Sequence, residues 1–263
     1  MVKEFENNWA IILGGSSGLG YAAALKLAQE GMDICIIHRN SRSEMHTIEK
    51  DFEKIRKTGQ QFIAYNMDLN NEEKRKLVLN ELKDKMTVKG KVKCLLHSIA
   101  KGNLKPLIHN ESPNLSKEDF EITMRNMAFS LWEWVEAIFS MALFDADARI
   151  LAFTSEGSKR PMKHYAAVSA AKASLEAMIR SIAVEFADLG IRANCIQAGM
   201  TDTRSLRMIP HSDEIVSANK ERNPFKRLTQ PLDIANVVYL MCKKEAAWIN
   251  GTIIVADGGE SLK

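Results

Sequence analysis

Seven short apolar runs, each followed by a longer stretch with helical spacing, constrain this chain more than any other feature. The runs are WAIILGG (9–15), DICIIHR (33–39), QFIAYNM (61–67), VKCLLHSIA (92–100), ARILAFTS (148–155), IRANCIQAG (191–199) and GTIIVADGG (251–259). They are nearly continuous rather than alternating, as expected of strands covered on both faces. Helices are expected between them over 19–30, 41–58, 71–86, 116–143, 162–189 and 231–247. Gly31, Gly59 and Gly190 stand just past three of these as stop signals. Strands alternating with helices predict an α/β fold: one doubly wound domain with a seven-stranded parallel sheet and helices on both faces. No repeat or linker divides the chain, so residues 1–263 are expected to form that single domain. The rhythm breaks at residues 200–230, which follow the sixth strand. A long insertion at a strand's carboxyl end reads as a substrate-binding loop or lid, the alternative being a surface excursion without function.

Composition narrows the function classes. Apolar residues are 46% and charged residues 26%, and 36 basic against 33 acidic side chains leave a net charge of +3. A disordered or fibrous chain is excluded, and so small a surplus does not mark a nucleic-acid binder or a polybasic membrane binder. Cys35, Cys94, Cys195 and Cys242 lie far apart, without CxxC or Cys/His ligand spacing. They read as buried thiols of a reducing compartment, and no metal site is expected. Residues 7–25 carry no charge, which superficially suggests a membrane segment, but four glycines and two serines interrupt them. A signal or spanning segment is a continuous apolar run, so a soluble, cytoplasmic protein is expected.

The uncharged window instead contains a phosphate loop. The first strand runs into Gly14-Gly15-Ser16-Ser17-Gly18-Leu19-Gly20 and then a helix. A pyrophosphate needs backbone amides and a helix N-terminus facing it, with no side chain where the backbone approaches. Gly14, Gly18 and Gly20 give the spacing G-x3-G-x-G. At the end of the second strand, where an acidic residue would accept ribose hydroxyls, stand His38-Arg39-Asn40. A guanidinium there suits a 2′-phosphate, so NADPH is favoured over NADH, unless Arg39 is merely solvated. Asp68 and Leu69, ending the third strand, are placed to contact the adenine ring.

The chain has only four tyrosines, so a tyrosine with a lysine on its own helical face is informative. Tyr239 and Lys243 are one turn apart, but in the last helix they read as a surface pair. Tyr165 and Lys172 are separated by seven residues, about 20° short of two full turns, so both lie along one face. Ser155 ends the fifth strand, where its hydroxyl can enter the same crevice.

These features resemble the short-chain dehydrogenase/reductase superfamily along essentially the whole chain. The matching segments are LGGSSGLG, His97-Ser98-Ile99-Ala100, Tyr165 with Lys172, QAGMTDT (197–203) and the closing IIVADGG. Tyr165-x6-Lys172 is similar to the enoyl-acyl-carrier-protein reductases, most of the superfamily using Y-x3-K. Arg39, Ser155 and IIVADGGESL look most like the NADPH-dependent bacterial type. The resemblance implies catalytic roles for Tyr165, Lys172 and Ser155. It implies cofactor contacts from Gly14, Ser16, Ser17, Gly18, Leu19, Gly20, His38, Arg39, Asn40, Asp68, Leu69, Ser98, Ile99, Ala100, Lys172, Ala198, Gly199, Met200 and Thr201. It also implies a homotetramer or dimer built on the helices carrying Trp132 and Tyr165, and an enoyl substrate carried on acyl-carrier protein or CoA.

The longer spacing has a chemical reason. Lysine must stay beside the nicotinamide ribose. In reduction of an α,β-unsaturated thioester, hydride enters at the β-carbon and negative charge develops on an oxygen three bonds away. The tyrosine must stand further out than in carbonyl reduction, and three extra residues move it about 4.5 Å with the face nearly kept. Tyr165 would then donate to the forming enolate. The chain departs from the family's pattern at three points. Ser155 stands where many enoyl reductases have a second tyrosine. The asparagine of the superfamily's tetrad falls at Met127, with Asn126 one residue off. Val168 occupies the position of a carbonyl reductase's tyrosine, and valine cannot donate a proton.

Other residues carry plainer readings. His97 reads as a packed strand-end histidine, and Trp132 and Trp134 as core and subunit contacts. Met200, Leu206, Met208 and Ile209 either line an acyl channel or simply pack. Lys54, Arg56, Lys57 and the lysines at 83, 85, 89, 91 and 93 read as solvated charges. The sequence thus favours an NADPH-dependent enoyl-thioester reductase. A ketoacyl or other carbonyl reductase is the second reading, favoured by Ser155 and opposed by Val168. A catalytically silent NADP(H)-binding regulator is the third, opposed by the presence of both Tyr165 and Lys172.

Overall fold

The first apolar run forms β1 (Asn8–Leu13), in which Trp9, Ile11 and Leu13 enter one core while Ala10 and Ile12 enter another. This alternation within a wholly apolar strand is what burial on both faces requires. The computed structural model describes residues 4–86, 90–110, 113–207 and 212–263. Its other strands are β2 (Asp33–His38), β3 (Phe62–Asn66), β4 (Lys91–His97), β5 (Phe144–Thr154), β6 (Arg192–Ala198) and β7 (Ile253–Ala256). All seven pair in parallel, in the order β3-β2-β1-β4-β5-β6-β7.

Helices cover both faces. One core packs α1 (Gly18–Gln29), α2 (Arg42–Arg56) and α9 (Pro231–Cys242) through Leu27, Phe52 and Val238. The other packs α3 (Glu72–Lys85), α5 (Ser130–Ser140) and α6 (Ala166–Glu185) through Leu79, Trp134 and Ile179. All four cysteines are buried and free, as their spacing predicted. Among the described residues, no helix is long and apolar enough to cross a membrane. The uncharged window is β1, the glycine turn and the start of α1.

Several boundaries differ from the sequence expectation, and the helix expected over 231–247 ends at Cys242, before a tight turn at Lys244–Ala246. The helix expected over 116–143 is α4 (Lys117–Met124), a wide π-type turn at Arg125–Phe129, and α5. The helix expected over 162–189 begins at Ala166, with Tyr165 as its N-cap, and ends at Glu185 before a tight turn closed by Gly190. Gly190 has φ +76, and a β-carbon there would lie 1.9 Å from the Ala146 carbonyl oxygen, so this stop admits no side chain. Residues 200–230 carry α7 (Arg204–Arg207) and α8 (Ser212–Arg222). Leu206, Val216 and Leu228 form a small apolar cluster of their own in this segment, with Met200 and Ile215 against it.

The strand order reverses direction between β1 and β4. A doubly wound sheet opens a crevice at the carboxyl ends of the strands there, and the residues singled out by sequence gather at it.

Candidate active site

The glycine turn is shaped by contacts that exclude side chains. Gly14 has φ +87, and a β-carbon on it would lie 2.3 Å from the Ser98 carbonyl oxygen. A β-carbon on Gly20 would lie 2.3 Å from the Gly14 carbonyl oxygen. The turn is thus pressed between the ends of β1 and β4, with α1 starting against it. Ser17 caps α1 without a side-chain hydrogen bond, and the first turn of α1 contains no acidic residue. Its free amides and positive dipole end open onto a cavity of about 410 Å³ lined by Gly14, Ser16, Ser17, Gly18 and Leu19. Gly20 does not line the cavity; it is the packing residue beneath the turn.

The ends of β2 and β3 form the opposite wall, where His38, Arg39, Asn40, Asp68 and Leu69 all line the cavity. The Arg39 guanidinium donates to Asp68 at 2.6 Å. Burial acts to raise the Asp68 carboxyl, but the Asn70 amides and the Arg39 charge outweigh it, so it titrates below the usual carboxylate range. His38 bonds to Asn40 at 3.0 Å, and burial lowers its basicity. No carboxylate occupies the end of β2, and the guanidinium lies at the cavity rim.

Ser98, Ile99 and Ala100, following β4, line the cavity as expected. Ala198, Gly199, Met200 and Thr201 are not brought to it. The Met200 amide donates to the Glu260 carboxylate at 3.1 Å, and the Thr201 hydroxyl to the Gly199 carbonyl at 2.9 Å. A β-carbon on Gly199 would strike Thr229. That turn is committed to the segments after β7 and before α9. Thr203, two residues further along the same QAGMTDT stretch, lines the cavity instead and packs against Gly18.

Tyr165, Lys172 and Ser155 converge on the cavity. Lys172 is 5% exposed, and its ammonium donates to the Phe153 carbonyl at 2.7 Å and the Ile99 carbonyl at 3.3 Å. An ammonium has three hydrogens, so one remains for the cavity. Burial lowers its pKa to about 8, against weaker upward pulls from Cys195 and Glu176. The Tyr165 hydroxyl lies 3.3 Å from the Ser155 hydroxyl. Burial raises the phenol above its ordinary value, Ser155 pulling the other way, so Tyr165 holds its proton at neutral pH.

Hydrocarbon packs behind this pair. Met127, Val168 and Ala171 form a buried cluster joined by Ile99, Met124 and Tyr165, and of the first three only Met127 lines the cavity. The wide turn at 125–129 resolves the one-residue offset seen in the sequence, since Asn126 and Met127 both line the cavity. An extra residue in a helical turn shifts register, which is how adjacent residues come to one surface. The Asn126 side chain accepts from Asn70 at 3.1 Å and donates to the Ile122 carbonyl at 2.7 Å.

The plainer readings resolve mostly towards packing. His97 is fully buried, and burial together with the Lys172 charge pushes its pKa down to about 3. Ser130 donates to the Asn126 carbonyl, so the His97 Nε2–H must donate to Ser130. Trp134 is core and donates to the Leu69 carbonyl, whereas Trp132 is 45% exposed and touches Phe186 edge-on. Met200 and Leu206 pack in the cluster beside α8, while Met208 and Ile209 lie outside the described residues. Tyr239 donates to Glu4 at 2.7 Å, away from the cavity. Lys93 corrects its sequence reading: it is buried and bonded to Asp147 at 2.6 Å.

Strand order, glycine turn and the Tyr165/Lys172 pair together define the short-chain dehydrogenase/reductase class. A family profile described as Enoyl-(Acyl carrier protein) reductase matches residues 14–261, and the chain belongs to that family, a group of oxidoreductases that bind a nicotinamide cofactor. It is similar to the 7alpha-hydroxysteroid dehydrogenase of Escherichia coli (strain K12), 25% identical over 250 residues, covering 95% of this chain and 92% of that one. It is also similar to the 1-cyclohexenylcarbonyl-CoA reductase of Streptomyces collinus, 25% identical over 255 residues, covering 96% and 86%. The solved Enoyl-[acyl-carrier-protein] reductase (NADH) from Aquifex aeolicus VF5 shares the fold with a TM-score of 0.83 at 22% identity, covering 98% of each chain.

Proposed function

We propose that this oxidoreductase is an NADPH-dependent enoyl-thioester reductase, saturating the double bond of a trans-2-enoyl group carried on acyl-carrier protein or CoA. The observation that carries the reading is that the Tyr165 phenol, and no donor one turn before Lys172, faces the cavity. Four residues before Lys172, where a carbonyl reductase would place its proton donor, Val168 packs on Met127 and offers only hydrocarbon. The available phenol stands a further turn out, matching an oxygen three bonds from the carbon that is reduced.

The residues present fit a nicotinamide dinucleotide. The side-chain-free glycine turn and the α1 N-terminus would hold its pyrophosphate, and Arg39 a 2′-phosphate. The remaining Lys172 hydrogen would reach its ribose hydroxyls. When bound, the cofactor supplies hydride to the β-carbon. Tyr165, protonated, donates a hydrogen bond to the thioester oxygen as enolate charge develops, and the Lys172 cation favours that charge. Ser155 steadies the phenol. The apolar side chain of Met127, backed by Val168, keeps water from the reacting carbons.

Consumption of NADPH with crotonyl thioester, lost in Tyr165→Phe and Lys172→Ala, is the expected result. Absence of turnover with every enoyl thioester, or faster turnover of acetoacetyl thioester under the same conditions, overturns it. Tighter binding of NADH than of NADPH overturns the cofactor assignment alone.

A further inference from the structure

Three consecutive residues after β5 face in two directions, the outer two towards Tyr165 and the middle one towards α8. Ser155 meets the Tyr165 hydroxyl at 3.3 Å. Gly157 lies flush against the Tyr165 ring, where a β-carbon would come within 2.5 Å of both the ring edge and the Met162 methyl. Between them, Glu156 points away from the cavity and accepts both ends of the Arg222 guanidinium, at 2.8 and 2.5 Å. Arg222 is the last residue of α8, 66 positions away in sequence.

This pair differs from the chain's other surface ion pairs. Arg207 with Asp202 and Arg227 with Asp233 are forked too but well exposed, whereas the side chains of this bidentate pair are only 19% and 22% exposed. A forked guanidinium–carboxylate contact fixes direction as well as distance, whereas exposed single contacts contribute little. Arg160 also donates to Glu156, at 3.1 Å, and the two guanidinium groups hold the carboxyl below its usual range, Arg222 most strongly. The far side of Arg222 is anchored too. Its Nε donates to the Lys263 carbonyl at 2.7 Å, and the neighbouring Asn223 donates to the Asp257 carbonyl at 2.9 Å. Glu260, between those two acceptors in sequence, holds the Met200 amide. The ion pair therefore joins the 155–157 turn to α8, the segment after β7 and the turn after β6.

We propose that Glu156 and Arg222 are positioning residues that fix the Tyr165 phenol relative to the substrate end of the cavity, and so set turnover rather than cofactor affinity. The geometry gives the reason. Any displacement of Glu156 carries Ser155 and Gly157 with it, and these two hold the hydroxyl and the ring of Tyr165. Among the described residues, no hydrogen bond or ion pair joins either member of the pair to the dinucleotide end of the cavity at β1, β2 and α1. The inference rests on the enoyl-reductase reading for its kinetic test.

The test uses the full chain, NADPH and crotonyl thioester. Glu156→Gln and Arg222→Gln should each lower kcat about tenfold or more, with NADPH affinity within about twofold of wild type. Arg222→Lys, which keeps the charge but not the fork, should fall between. The exchanged pair Glu156→Arg with Arg222→Glu should be more active than either single reversal. Amide exchange of residues 153–165 with NADPH bound should quicken in Arg222→Gln. Unchanged kcat in both glutamine variants, or loss of NADPH affinity in step with kcat, overturns the proposal. If the wild-type chain does not consume NADPH with the enoyl thioester, the substrate reading fails instead. The exchange comparison then decides on the pair by itself, unchanged rates at 153–165 overturning it.

Discussion

The two ends of the cavity are built from different material. At the dinucleotide end, backbone dominates: Gly14 and Gly20 allow β1, β4 and α1 to meet at distances no side chain tolerates, and the ligand-facing groups are amides. At the substrate end, side chains dominate: Tyr165, Lys172, Ser155 and Met127 come from the turn after β5, from α6 with its N-cap and from the wide turn before α5, and their roles depend on being placed against one another. A backbone-built site is local in sequence and intolerant of added atoms. A side-chain-built site is spread along the chain and sensitive to removed ones. The contrast implies that a single methyl should damage the first end and a single lost hydroxyl the second.

The sharpest break would come at the substrate end. Tyr165→Phe should reduce kcat for enoyl thioester about 10²–10³-fold, the loss expected for one donor to a developing oxyanion, with NADPH affinity unchanged. A variant retaining most of its rate would remove the phenol from the mechanism. At the dinucleotide end the complementary change is Gly20→Ala, whose methyl would meet the Gly14 carbonyl. Overpacking of this kind costs about 1–3 kcal/mol. It should appear as weaker NADPH binding in titration calorimetry and a lower melting temperature, with any residual kcat at saturation little altered.

Arg39→Ala tests whether a side chain matters at the backbone-built end. It should weaken NADPH about tenfold or more and NADH hardly at all, since hydrogen bonds to charged groups contribute about 1.5–3 kcal/mol. Equal losses for both cofactors would show that Arg39 only pairs with Asp68.

The smallest effect expected is a pH limb. Lys172 titrates at about 8, so activity should fall as pH rises through that value and the cation is lost. The stability term has the opposite sign. The folded pKa lies below the ordinary value of 10.5, so the unfolded chain holds the extra proton between about 8 and 10.5, and this group's contribution to stability rises with pH across that window. Profiles of kcat/KM and of thermal unfolding against pH separate the two. The kinetic limb should vanish in Lys172→Arg, whose guanidinium does not titrate there.

Much of this molecule was legible before folding. The strands, their burial on both faces, the helix stop at Gly190 and the phosphate loop are encoded in runs of adjacent residues, where period and turn chemistry act locally. The Tyr165/Lys172 face was equally legible, because seven residues of helix fix an angle. The turn at 198–201 was not. Its position depends on Glu260 reaching back to the Met200 amide across 60 residues, a contact that no spacing announces. Asn126 escaped for a related reason: a wide turn shifts register by one, and sequence periodicity assumes there is none.

By itself, then, the sequence determined the sheet, the glycine cradle and the reach of tyrosine from lysine, since each follows from steric and angular rules that act within a few residues. Only the tertiary structure decided that Thr203 rather than Thr201 meets the cavity, that Met127, backed by Val168, lines it, and that Arg222 grips the turn beside Tyr165. Those outcomes are packing contests between segments far apart in the chain, and their winners are set by which buried polar groups find partners.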